Sequence, residues 1–200
     1  MRRLSRVNAR TGAAGRTRQL DAVLICPGCG AEMTSLMLDA RIGASVQIDL
    51  CPTCQVIWFD HLESVRLSPA ATLEVFRVIG DRAQMSPAPM QNPMPCPRCG
   101  LRLLLTHDRQ RNTPFRYWRC GRDHGRLTTF FDFLREKDFI RPLSAQQLAE
   151  LRDNIQHLNC SNCGAPIDLA HESACAHCSS PISMLDVKQV ETMEIGRAHV

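Results

Sequence analysis

The stretch Cys51–Glu63, CPTCQVIWFDHLE, begins with two cysteines separated by two residues, and the same pair occurs earlier at Cys26 and Cys29. Such a pair can place both sulfur atoms on one metal ion while the intervening backbone amides point back toward them. The two pairs, with 21 residues between them, supply the four thiolates of a closed tetrahedral zinc site. This spacing is a stronger signal than a single pair, and it predicts a metal-bound module.

The same layout recurs twice further along the chain. The second module begins at Cys96 and Cys99 but closes with only one cysteine, Cys120, so its fourth ligand must be another residue. His124 is the candidate and His107 is its rival, because Cys3His sites are ordinary for zinc. We predict three structural Zn²⁺ ions, with the ligands Cys26, Cys29, Cys51 and Cys54; Cys96, Cys99, Cys120 and His124; and Cys160, Cys163, Cys175 and Cys178.

The composition explains why this chain would need metal. Aromatic residues make up only 5% of its 200 residues. Segments of roughly 40 to 50 residues with so little apolar surface need an additional constraint to fold. The three clusters use all 11 cysteines, which leaves none for disulfides or nucleophilic chemistry. Without a recognisable secretion leader or an apolar run of about 18 residues, we expect zinc binding in a reducing cytoplasm and no membrane segment.

Local patterns predict the elements of the first module. Residues 33–38 and the alternation of Val46, Ile48 and Leu50 with polar residues predict two strands between the two cysteine pairs. After the second pair, Trp58 and Phe59 are expected to cover this hairpin. Asp60 and Glu63 have the spacing of a helix capping box, so a short helix is expected to follow.

The second knuckle also carries Trp58, Asp60 and Glu63 at fixed intervals after its cysteines. Together with CPGCGAEM at the first knuckle and VQIDL before the second, this pattern resembles the small TFIIB-type zinc-ribbon family of bacteria over residues 26–64. The resemblance implies a zinc-ribbon fold and says little about function. Residues 160–178 resemble the generic short zinc ribbons found at protein termini, which specify metal rather than activity.

The segments between the modules have their own signals. Ser68 and Pro69 predict a helix start, and the four prolines and three methionines of residues 82–95 predict a semi-extended linker. Phe130, Phe133 and Leu134 have helical spacing and are expected to bury the back of the second ribbon. Ser144 and Gln147 form a capping box for an amphipathic helix, whose apolar residues are Leu148, Leu151, Ile155 and Leu158.

We therefore expect a small metal-stabilised α+β fold, built from three tandem zinc ribbons joined by short helices and a Pro/Met-rich linker. The expected boundaries are a basic disordered arm (1–21), a TFIIB-type ribbon (22–66), a helix (67–81), a linker (82–95), a basic second ribbon (96–140), an amphipathic helix (141–159), a third ribbon (160–187) and the start of a truncated C-terminal segment (188–200).

Charge is uneven along the chain, although the net charge is only +4. The second module carries eight arginines between Cys96 and Arg126, against two aspartates. Arginines interleaved with aromatic residues can hold phosphates and stack on bases, but alternate residues of a strand face opposite sides. The candidate nucleic-acid-binding residues are Arg98, Arg102, Arg116, Tyr117, Arg119 and Arg122. The alternative is a solvated basic face.

These patterns favour a binding module over an enzyme. Four protein ligands leave no position for a catalytic water, and no phosphate loop or set of nucleophile, base and orienting residue is recognisable. We predict a zinc-binding adaptor or regulator that contacts a protein partner and has no small-molecule substrate. The alternatives are a nucleic-acid-binding regulator acting through the second ribbon, and a redox-responsive zinc–thiolate protein.

Overall fold

The computed structural model describes residues 23–43, 45–82 and 87–185. The basic arm and the predicted C-terminal segment lie outside the described residues. In the part of the chain that is described, no helix is long and apolar enough to cross a membrane.

The described residues form ten strands and four helices. The elements are β1 (Thr34–Asp39), β2 (Ser45–Cys51), β3 (Val56–Asp60), α1 (Glu63–Arg66), α2 (Pro69–Arg82), β4 (Leu104–Gln110), β5 (Thr113–Arg119), β6 (Gly125–Thr129), α3 (Phe130–Glu136), β7 (Ile140–Pro142), α4 (Ala145–Asn154), β8 (His157–Asn159), β9 (Pro166–Asp168) and β10 (Ser183–Leu185).

Six strands form one antiparallel sheet in the order β1-β2-β3-β6-β5-β4. Strands β1 to β3 belong to the first ribbon and β4 to β6 to the second. The two ribbons meet along β3 and β6, where Trp58 lies opposite Leu127 and Asp60 lies opposite Gly125. The prediction treated these ribbons as separate hairpins in tandem. Each ribbon instead has a third strand after its second knuckle, and these strands join the ribbons edge to edge.

The hairpin expected in the first ribbon is present, with Thr34 opposite Leu50 and Asp39 opposite Ser45. The third strand, β3, was missed by the sequence analysis. Its first four residues, VIWF, are all fully buried, so the strand shows a continuous apolar run instead of alternation. Trp58 and Phe59 therefore do not cover the hairpin from outside, because they extend its sheet.

Two apolar cores lie on opposite faces of the sheet, because successive side chains of β3 alternate between them. Val56 and Trp58 point into the core that holds the cysteines of the first two clusters, except for the exposed Cys29. Ile57 and Phe59 point into the other core, which α2 and α3 cover. There the ring of Phe59 stacks on that of Phe133 at 5.8 Å between centroids. The helix α3 was expected to bury the back of the second ribbon, and its residues Phe130 and Phe133 also pack on the strands of the first.

The helices begin largely where the sequence indicates. Ser68 Oγ accepts a hydrogen bond from Ala71 N at 3.0 Å and so caps α2. The helix ends at Arg82, one residue beyond the predicted boundary. The capping box expected before α1 is only half made. Glu63 accepts from the backbone N of Asp60 at 2.8 Å, but the Asp60 carboxylate instead accepts from the indole of Trp58 at 2.8 Å.

The described part of the predicted linker, residues 87–95, is docked on the first ribbon. Ala88 N donates to Thr53 O at 2.8 Å, and Gln91 N donates to Gly28 O at 2.9 Å. Met94 is buried in the core of the first two clusters. No helix or strand forms in residues 87–95, and these contacts hold the segment against the first ribbon.

The third ribbon forms a smaller unit with its own core. The capping box of Ser144 and Gln147 is present at the start of α4. The predicted helix over 141–159 is shorter than expected, since α4 ends at Asn154 and Leu158 lies in β8, which pairs with β9. Leu148 and Leu151 of α4 pack on the core of this ribbon. The strand β10 then returns to pair with β7.

Candidate metal centres

The structure brings the twelve predicted ligands together in three groups of four. These groups are Cys26, Cys29, Cys51 and Cys54; Cys96, Cys99, Cys120 and His124; and Cys160, Cys163, Cys175 and Cys178. Within each group the candidate ligand atoms all lie within 4.8 Å of one another. Each group can therefore surround a single metal ion.

Individual sulfur distances match a tetrahedral thiolate site. The Sγ atoms of Cys29 and Cys51 are 3.7 Å apart, and those of Cys160 and Cys178 are 3.6 Å apart. A Zn–S bond of about 2.3 Å places the sulfurs of a regular tetrahedron about 3.8 Å apart. A disulfide would need about 2.05 Å. The spacing therefore fits a shared metal ion better than disulfide pairs.

The same backbone turn shapes the first knuckle of every ribbon. The glycine that follows the second cysteine donates its N–H to the carbonyl of the first cysteine, at 2.9 Å from Gly30, 2.8 Å from Gly100 and 2.7 Å from Gly164. All three glycines have positive φ, between 72° and 76°, which side chains rarely tolerate. The sequence C-x2-C-G thus encodes both the ligands and the turn that aims them.

Hydrogen bonds and burial set the proton affinities of the first cluster when no metal is bound. The hydrogen bond from the thiol of Cys26 lowers the pKa of Cys51 to about 5, and the same contact raises the pKa of Cys26. Burial raises the pKa of Cys54 to about 12. A metal ion must displace the protons on Cys26 and Cys54, so the affinity of this cluster for metal should fall as the pH is lowered.

In the second cluster, the structure places His124 beside the cysteines. Its Nδ1 lies 3.5 Å from Cys120 Sγ, and its backbone carbonyl accepts a hydrogen bond from His61 N at 3.2 Å. His107, the rival ligand, is exposed on β4 opposite Arg116. Burial works against ionisation of Cys120, but the N–H groups of Arg122 and His124 lower its pKa to about 6.

These positions give a prediction about the second cluster. His124→Ala should weaken metal binding there by more than about 100-fold, because loss of an outer-shell partner alone typically costs 10- to 100-fold. His107→Ala should leave the metal content unchanged, and His124→Cys should retain the ion through a fourth thiolate. Native mass spectrometry of the three variants counts the ions directly. Full metal content in His124→Ala would show that another residue completes the site.

A buried polar network ties the third cluster to the sheet, and the sequence analysis missed it. Asn162, inside the knuckle, donates to Ser180 Oγ at 2.9 Å and accepts from Thr129 Oγ1 at 3.2 Å. Thr129 in turn caps α3 through the N–H of Asp132 at 3.0 Å. The only signal in the sequence was an ordinary N-cap pattern, Thr129-x-x-Asp132, which does not indicate a partner 33 residues away.

Asp132 is the charged centre of this network. Its side chain is fully buried, and it lies 3.6 Å from Arg116 Nε and 3.7 Å from Arg135 Nη1. Burial raises the pKa of Asp132, and the two guanidinium groups oppose that shift. Arg135 also donates to Pro181 O in the third ribbon at 3.2 Å. The network therefore fixes the position of the third ribbon relative to α3.

Three of the six predicted nucleic-acid-binding residues already have partners within the protein. Arg98 forms a two-point ion pair with Asp60, at 3.1 Å and 2.9 Å. Arg116 belongs to the buried network just described. The ring of Tyr117 lies under the guanidinium of Arg126, 4.8 Å from its centroid. These groups would have to leave existing contacts to reach a nucleic acid.

The other three, Arg102, Arg119 and Arg122, are exposed, and none of them makes an ion pair with a described acid. All three lie at the end of the second ribbon that carries its metal cluster. Trp118, the aromatic residue next to Arg119, packs against the core of the first two clusters. The structure thus keeps a basic surface but places the aromatic rings elsewhere.

Comparison with known proteins adds no assignment: no protein-family model, curated protein or solved structure matches the chain significantly. The likeness to TFIIB-type ribbons consequently rests on the motif of residues 26–64. The six-stranded sheet shared by two ribbons is a feature that this single-ribbon motif does not imply.

Proposed function

We propose that the protein is a zinc-stabilised scaffold that binds another protein, with the metal in a structural role. The observation that carries this proposal is the completeness of each cluster, which offers four protein ligand atoms at tetrahedral spacing. Catalytic zinc keeps one position open for water or substrate, whereas four protein ligands close the site. The ions would hold the fold together instead of performing chemistry.

The small cores support a structural role for the metal. The first two clusters lie in one core, where Cys26, Cys54, Cys96 and Cys120 pack with Trp58 and Leu127. The third cluster supplies two of the five buried residues of its own core. Structural zinc contributes about 10–16 kcal/mol of apparent folding free energy in zinc-finger peptides near neutral pH. A contribution of this size can offset the conformational entropy that the chain loses on folding, which such small apolar cores do not offset alone.

We expect the purified protein to contain three zinc ions per chain, and to unfold when a strong chelator removes them. Native mass spectrometry and elemental analysis measure the number and identity of the ions, and amide hydrogen exchange follows the fold. Returning zinc should restore protection, which serves as the control for irreversible damage. Sulfur-rich tetrahedral sites also suit iron, so a coloured, iron-loaded protein would contradict the zinc assignment. A metal-free chain that stays folded would contradict the structural role.

A second candidate function is nucleic-acid binding through the exposed arginines Arg102, Arg119 and Arg122. Exposed cations without acidic partners are the groups that phosphates neutralise, and such binding weakens steeply with salt. The oligonucleotide measurement described in the next subsection tests this candidate against the first.

A further inference from the structure

The strand β4 forms one edge of the six-stranded sheet, and β5 is its only neighbour among the residues that the structure describes. Six of its seven residues are exposed, and the remaining one, Thr106, is half-buried. Long, open edge strands are normally shortened, covered or interrupted, because their free backbone groups invite pairing with another chain. An edge that is left open in this way is a candidate docking surface.

The hairpin register shows which backbone groups of β4 are free. The two-residue turn at residues 111–112 makes Gln110 and Thr113 the closing pair, which exchanges hydrogen bonds. By alternation, the N–H and C=O groups of Leu105, His107 and Arg109 face away from β5. The N–H of Arg109 is taken by the Asp108 carboxylate at 2.7 Å. Leu105 and His107 therefore keep a donor and an acceptor each for an additional strand.

Apolar side chains flank this edge on both faces. Leu104 and Leu105 are 47% exposed and lie on opposite faces of the strand, and Leu101 beside the knuckle is 43% exposed. A strand added along β4 would contact leucines above and below its own backbone. The edge thus offers apolar contacts as well as hydrogen bonds.

The charges around β4 favour an acidic partner. Of the eight arginines in the second ribbon, four pair with acids: Arg98 with Asp60, Arg111 with Asp138, Arg116 with Asp132 and Arg126 with Glu136. The other four are exposed and have no ion-pair partner among the described residues: Arg102, Arg109, Arg119 and Arg122. Arg109 lies on β4, Arg102 precedes the strand by two residues, and Arg119 lies directly opposite Leu104. Arg122 follows in the second knuckle, where its backbone N–H contacts Cys120 Sγ.

We propose that β4 binds an extended, acidic and apolar peptide segment of a partner protein, which adds as a seventh strand to the sheet. Backbone hydrogen bonds would provide affinity, while the leucines and unpaired arginines would select alternating apolar and acidic side chains. This inference rests on the proposed scaffold function and names the class of partner. Nucleic acid fits the charges but not the other features, because the exposed apolar groups are aliphatic and the aromatic rings of this ribbon pack internally.

The test uses the full chain with its metal content verified, and a short fluorescent peptide in which glutamate alternates with valine. We expect saturable binding, which is lost when alternate peptide amides are N-methylated. His107→Pro should weaken binding roughly tenfold, because it removes an outward N–H without touching the bonds to β5. His107→Ala keeps that N–H and should bind normally. Peptide binding that survives N-methylation or His107→Pro would overturn the inference.

Charge reversal provides a second variant that does not depend on proline being tolerated. Arg119→Glu should weaken peptide binding roughly tenfold at low salt. Arg152→Glu makes the same charge change on α4, which packs on the separate core of the third ribbon, and should have no effect. An equal loss of peptide affinity in both variants would overturn the role of the exposed arginines around β4.

Two competing occupants give distinct results. A single-stranded oligonucleotide that binds more tightly than the peptide, and loses binding in Arg119→Glu, would replace the peptide with nucleic acid. A dimer that dissociates in His107→Pro, observed by light scattering, would show that a second copy occupies the edge. Absence of peptide binding by a folded, three-zinc protein would overturn this inference alone. Absence of metal would instead overturn the scaffold function.

Discussion

Cys51→Ser is expected to unfold the first two ribbons together, not the first ribbon alone. Cys51 ends β2, lies opposite Val56 of β3 and contributes to the first cluster. Under the proposed scaffold function, its loss should remove a large part of the ~10–16 kcal/mol that a structural zinc ion contributes in zinc-finger peptides. The two ribbons are joined by a seam, the pairing of β3 with β6. Disorder in the first ribbon would therefore expose β6 and the core that the second ribbon shares with the first.

Amide hydrogen exchange resolves this prediction along the chain. We expect Cys51→Ser to lose protection in residues 34–60 and also in β5 and β6. The matched control is Cys175→Ser in the third cluster, whose core is separate, so the loss should be confined largely to residues 157–185. Retained protection over residues 26–58 would show that the first ribbon folds without its metal. Loss confined to that ribbon would show that the seam does not couple the two.

The sequence predicts well those features that depend on neighbouring residues. The C-x2-C-G knuckles, the hairpin of β1 and β2 and the caps at Ser68 and Ser144 are all local, and each is present in the structure. The grouping of the metal ligands into three sets of four could also be predicted. A closing knuckle with one cysteine needs a fourth ligand close to it in the sequence. His124 follows Cys120 by only four residues and lies beside it in the structure.

Features that join distant segments could not be predicted in this way. The seam requires β3 and β6 to be neighbours, but a strand buried on both faces gives no alternating pattern to recognise. The contact between Asn162 and Thr129 depends on how the third ribbon docks, and neither residue type indicates its partner. The arginines of the second ribbon looked alike in the sequence. Only the fold separates the four that pair with acids from the four that have no acidic partner in the described part of the chain.

The seam itself depends on a single glycine, and Gly125→Ala is expected to disrupt it. Gly125 has a φ of 153° and lies opposite Asp60, and its carbonyl oxygen accepts a hydrogen bond from Cys120 N at 3.0 Å. A methyl group there would collide with the carbonyl oxygen of Phe59 and lie 2.9 Å from both Asp60 Cα and Trp58 Cζ2. Two of these three contacts are backbone atoms inside a sheet, which cannot move aside without breaking strand pairs.

We expect Gly125→Ala to lower the free energy of unfolding by about 3 kcal/mol or more, since it combines steric overlap with backbone strain. Urea denaturation of the metal-loaded protein measures this loss. Gly121→Ala is the matched control in the same ribbon, because its added methyl would meet only Leu104 Cδ1 at 3.9 Å, an ordinary contact. A Gly125→Ala protein as stable as Gly121→Ala would mean that the two ribbons do not need the close pairing of β3 with β6.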